Sequence, residues 1–121
     1  ITNEVCVAYQ EAASTDLAYA CTSPNACNIG WTVETVDNNS AGAYSSLAFD
    51  SNGYPYIAYY ASGTADLMLA HHDGVSWSIT TLDDYGSVGK YLDLAIDSND
   101  NYHIIYYRDG VGELKYATGS L

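Results

Sequence analysis

Two acidic turns are the first places where this chain could hold chemistry. Asp50-Ser51-Asn52-Gly53 and Asp97-Ser98-Asn99-Asp100-Asn101 set oxygen-bearing side chains at alternate positions, and Asp50, Asn52, Asp97 and Asn99 are the ligands a calcium ion would take. A calcium loop usually closes on a further bidentate carboxylate, whereas Tyr54-Pro55-Tyr56 and Tyr102-His103-Ile104 follow here. The same aspartates are suited to capping a tight turn by accepting backbone N–H bonds. Turn chemistry is therefore expected, with calcium as its alternative and no other cofactor implied.

The remaining reactive side chains are few. His71 and His72 are neighbours on a predicted strand, point to opposite faces, and so cannot readily share a metal. Cys6, Cys21 and Cys27 are the three cysteines. The segment Cys21-Thr-Ser-Pro-Asn-Ala-Cys27 stands where a later, related segment has only a short turn, so a Cys21–Cys27 disulfide is expected in an oxidising compartment. Cys6–Cys21 is the rival pairing, because a hairpin turning near Ala12 to Ser14 would bring those two opposite each other. Three cysteines without CxxC spacing are a poor zinc set. Trp31 and Trp77 offer aromatic faces that could stack on sugar rings, and Tyr60 and Tyr107 could line grooves between sheets; because each recurs at the repeat period, packing between sheets is expected first, with a glycan as the alternative ligand. Asn38-Asn39-Ser40 is a glycosylation sequon, with Asn38 the acceptor. No Gly-x-Ser-x-Gly, Walker loop or distinctively spaced carboxylate pair is present, so catalysis is not expected.

These residues are positioned by a repeat. Tyr44 to Ala70 aligns without a gap on Tyr91 to Ala117, with agreement at Leu47/Leu94, Ala48/Ala95, Asp50/Asp97, Ile57/Ile104, Tyr59/Tyr106, Tyr60/Tyr107 and Leu67/Leu114. The period is 97 − 50 = 47 residues. A truncated copy opens the chain, where Val7 to Ala20 matches Ile57 to Ala70. Between copies runs a strand that starts with tryptophan and ends with aspartate, Trp31 to Asp37 and Trp77 to Asp83. Charged residues that differ between copies (Lys90, Asp93, Arg108, Glu113) are better functional candidates than residues that recur, because recurrence is what packing demands.

The alternation of short apolar runs with Asp-Ser-Asn turns, and the absence of helical periodicity, predict an all-β chain. The pattern W-x-x-x-T-[VL]-D, G-x-Y-x-x-L-A-[FI]-D-S-N, I-x-Y-Y, L-x-x-A resembles repeats of secreted and surface-anchored bacterial and archaeal β-propeller proteins, and is distantly similar to sialidase-type repeats. The resemblance implies four-stranded antiparallel blades, about two and a half of them in this chain: a partial blade at 1–37, a full one at 44–83 and a partial one at 91–121. Closed propellers need about four to eight blades. A homo-oligomer or polymer, or the remainder of a longer propeller, is thus the expected partner.

Charge narrows the partners further. Fifteen acidic residues against three basic ones give −12, which repels nucleic-acid phosphates and anionic membrane surfaces. No apolar run approaches the roughly 20 residues of a spanning helix, and a chain starting at Ile1 fits one that has lost a signal peptide. The function expected is non-catalytic: a secreted or cell-surface module for binding or structural assembly, completed by strand pairing with neighbouring chains. A carbohydrate-binding lectin and a fragment of a propeller glycoside hydrolase are the alternatives.

Overall fold

The structure, a computed structural model, describes residues 4–23 and 30–121. The all-β expectation holds. Among the described residues ten strands form three antiparallel sheets, and there is no helix. None of them, accordingly, forms a helix long and apolar enough to cross a membrane. The first sheet holds β1 (Val5–Gln10), β2 (Leu17–Thr22) and β3 (Thr32–Asp37). The second holds β4 (Ala43–Phe49), β5 (Pro55–Ala61), β6 (Asp66–His72) and β7 (Trp77–Asp83), and the third β8 (Val88–Ile96), β9 (Tyr102–Arg108) and β10 (Glu113–Gly119). Each strand pairs with its sequence neighbour, so every connection within a sheet is a hairpin.

The strands alternate because their two faces meet different neighbours. On β5, Ile57, Tyr59 and Ala61 turn toward the first sheet, where Leu17, Ala8 and Val36 receive them. Tyr56 and Ala58 turn the other way, onto Val88, Leu94, Ile104 and Tyr106 of the third sheet. Covered on both faces, β5 is buried along its whole length, which explains its continuous apolar sequence.

The turn into β5 and the turn into β9 have the same backbone. Asp50 N–H donates to Tyr54 O and Gly53 N–H to Asp50 O, as Asp97 N–H does to Asn101 O and Asp100 N–H to Asp97 O. Gly53 and Asp100 occupy the same left-handed position, at φ 83° and 62°; aspartate is among the few non-glycine residues that tolerate it. Strands β4 and β8 both carry a bulge, and Tyr44 and Tyr91 sit in it with φ 53° and 51°. Strand β8 begins at Val88, upstream of Tyr91, where the repeat match starts.

The disulfide joins Cys6 to Cys21, which face each other in the β1–β2 register. This corrects the expected Cys21–Cys27 pairing. The hairpin register places the two thiols side by side, and Cys27 lies outside the described residues.

Candidate functional site

Consecutive sheets are joined twice by the same three contacts. The Tyr59 hydroxyl donates to Asp37 Oδ2 at 2.6 Å, and its repeat equivalent Tyr106 donates to Asp83 Oδ2 at 2.8 Å. Burial and these carboxylates together push both phenols well above their ordinary range. Gly42 packs on Leu17 and Gly89 on Leu67; a Cβ would come within 2.8 Å and 3.0 Å of the leucine Cα, and both glycines have positive φ. The Ser62 N–H donates to Ser40 O at 2.9 Å and the Asp109 N–H to Ser87 O at 2.8 Å. The final aspartate of each tryptophan strand is therefore the acceptor that ties one sheet to the next.

A groove lies beside Asp37, and the equivalent place beside Asp83, called the second groove below, differs from it in the side chains it holds. The first, about 410 Å³, is lined by Asp37, Asn39, Ala61, Thr64, Asp66 and Met68, with Ile79 and Thr81 from β7. One repeat later, positions 37, 39, 61, 66 and 68 become Asp83, Tyr85, Arg108, Glu113 and Lys115. The Lys115 ammonium donates to Asp83, the Arg108 guanidinium approaches Glu113 at 3.5 Å, and Arg108 lies 4.3 Å over the Tyr85 ring. Burial works to raise the Asp83 carboxyl, but Lys115, the Tyr85 N–H and the Tyr106 hydroxyl outweigh it and hold that carboxyl below the usual carboxylate range. In the first groove Asp37, only 6% exposed, accepts from neutral donors: Tyr59, the Asn39 N–H and the Asn39 amide.

The acidic turns cap themselves. Asp50 Oδ1 accepts from the Asn52 and Tyr54 N–H groups, both at 2.9 Å, and Asp97 Oδ1 from those of Asn99 and Asn101 at 2.8 and 3.0 Å. Their second oxygens face imidazoles, His71 Nε2 at 3.5 Å and His103 Nε2 at 2.9 Å. His103 is the leading cause, with Asn101, of an Asp97 carboxyl held far below its ordinary value. The two turns are linked to each other, since Asp100 accepts from the Ser51 N–H and hydroxyl at 2.7 and 2.6 Å. Asn52 and Asn99 thus contribute their backbone to turns whose carboxylates are already engaged. Glu4, Cys6 and Cys21 form the metal-ligand-like cluster found among the described residues, but its thiols are tied in the disulfide.

The aromatic candidates separate into two places. Trp77 packs edge-on against Tyr19 and His72 and donates to Glu34 Oε1 at 3.1 Å, bridging the second sheet to the first. Burial, aided by Glu34, pushes the Tyr19 phenol up to about 12. Trp31 precedes β3 and is exposed, as is Asn38 immediately after it. Tyr60 and Tyr107 lie at the other end, each about 6 Å from the tyrosine of its bulge (Tyr44 at 6.2 Å and Tyr91 at 6.1 Å). Tyr44 and Tyr91 meet edge-on at 4.9 Å. Of the charged residues that differ between copies, Arg108 and Glu113 come together in the second groove, Lys90 pairs with Asp109 at 2.7 Å, and Asp93 accepts from Ser46 at 3.2 Å. Lys115, Tyr85 and the Asp37/Asp83 pair were not singled out from sequence. The available signal was a charge at 115 where the preceding copy has methionine.

No protein-family model matches this chain, and a search of curated proteins found none similar to it.

Proposed function

We propose that the chain is a non-catalytic β-propeller-type module, secreted or displayed at a cell surface, whose end sheets are completed by neighbouring copies of itself. The observation that carries this reading is what the two end faces expose. On the last sheet Leu114 is 73% exposed, although its equivalents Leu17 and Leu67 are fully buried beneath the glycine of the following copy. Tyr116 and Ile105 are exposed beside it, at the positions of the buried Leu69 and Ala58. On the first sheet Val7 and Tyr9 are exposed, where Ile57 and Tyr59 are buried. One end therefore offers the face that sheets present to their successor, and the other the face presented to their predecessor. Such surfaces are complementary and heterologous, so their docking continues head to tail until a ring closes or a filament grows.

Three further features support the reading. Equivalent residues of β4 and β8 touch along one side of the stack (Tyr44 with Tyr91, Ser46 with Asp93), as first strands do around a shared axis. The edges of β1 and β10 away from their hairpin partners are unpaired among the described residues, so strand addition is open to them. The Cys6–Cys21 disulfide suits an oxidising compartment. Sedimentation velocity of this chain across a concentration series tests the proposal. Association is expected, with Leu114→Lys shifting it at least about tenfold in concentration, the equivalent of about 1.4 kcal/mol. A wild-type chain that stays folded and monomeric at every concentration would sink it.

A further inference from the structure

From the difference between the two grooves we infer that the first is a binding site for a primary alkylammonium group, such as a lysine side chain or an aliphatic diamine. The second groove carries its own ligand. Lys115 reaches Asp83 and Arg108 reaches Glu113, each from within the chain. In the first groove both carboxylates are kept, as Asp37 and Asp66, while Met68 and Ala61 stand where the two cations stood. All three basic side chains of the protein are paired elsewhere, with Asp83, Glu113 and Asp109. The space those cations would have filled is the open groove.

The lining says what kind of cation enters. Asp37 is more than nine-tenths buried and meets only neutral donors, a costly state for a carboxylate that a desolvated cation would relieve. Ala61, Met68 and Ile79 provide an apolar wall suited to a methylene stem, and the Thr81 hydroxyl, now donating to Met68 Sδ at 3.3 Å, can turn to accept from an ammonium. A calcium ion would want six or more oxygens around it. Here both Asp37 oxygens already accept, Oδ2 from Tyr59 and Oδ1 from Asn39. A single charged tip on an aliphatic chain, which is what Lys115 is, fits better.

The test is an NMR titration of the full chain with 1,5-diaminopentane, with Nα-acetyl-lysine methylamide, and with the norleucine analogue that lacks the ammonium. Saturable shifts of the Asp37, Asp66 and Thr81 amides are expected with the two amines and not with norleucine. Preference for the lysine derivative would mark a protein partner as the source, and preference for the diamine a free metabolite. Met68→Lys, which copies the second groove, should abolish the shifts, and Asp66→Asn should weaken binding by about tenfold. The inference is overturned if neither amine shifts those amides, if norleucine shifts them as well, if Ca²⁺ occupies the site in preference to the amines, or if both variants bind as the wild type does.

Discussion

The interface between the first and second sheets and the interface between the second and third are two solutions to one packing problem. Each holds a tyrosine on an aspartate, a glycine on a leucine and a backbone N–H on a serine carbonyl. Only the second adds cations, Lys115 and Arg108. The shared contacts are those a repeat needs to stack. The unshared ones lie in the groove, where side chains can change without disturbing the stack. Part of the divergence between copies, Ala61 against Arg108 and Met68 against Lys115, thus falls where ligand chemistry could be gained or lost.

The largest expected effects test the shared part. Leu17→Ala and Leu67→Ala each remove a fully buried side chain beneath a glycine, and both should cost about 2–5 kcal/mol by urea unfolding. Similar costs at the two positions would support equivalent interfaces. A difference approaching the whole range would break the comparison. Next come Tyr59→Phe and Tyr106→Phe, where the interfaces should diverge. Removing the Tyr59 hydroxyl deprives the buried Asp37 of its donor on Oδ2 and should cost about 2–3 kcal/mol. Asp83 keeps Lys115 when Tyr106 is changed, so about 1 kcal/mol is expected there. Equal losses would mean that Lys115 does not compensate.

The repeat made the strands and turns readable in advance, because four apolar or turn-forming segments recur at one spacing and each copy checks the other. Asp50 and Asp97 could be assigned to turn capping from residue type alone, as could the opposite orientations of His71 and His72. The grooves could not be read this way. Each is built from residues of two consecutive copies, and the tryptophan strands are spaced by 77 − 31 = 46 residues, one fewer than the period of the segments they face. Matching Asp37 to Asp83 therefore needs a second alignment, and pairing either with Met68 or Lys115 needs the sheets in place. The disulfide was ambiguous for a related reason: a longer turn bearing two cysteines suggested a local staple, but the β1–β2 register sets Cys6 against Cys21.

The smallest effect is a pH dependence that should belong to one interface alone. Asp83 has a carboxyl held below its unfolded value of about 3.9. Its contribution is therefore complete above that pH and is lost as pH falls through the lower folded value. Lys115→Met should remove most of this, leaving a protein less stable at pH 7 by on the order of 1 kcal/mol or less, since the ammonium is partly solvated. The gap between wild type and variant should narrow as pH falls below about 4 and the wild-type carboxylate takes up its proton. Met68→Lys should do the reverse in the first groove, giving Asp37 a cation and raising the urea midpoint at pH 7. Urea midpoints for the three proteins at pH 7, 5, 3 and 2 separate these outcomes. A Lys115→Met gap that stays constant across the series would show that Lys115 acts through packing of its stem, and the two grooves would then differ in shape rather than in charge.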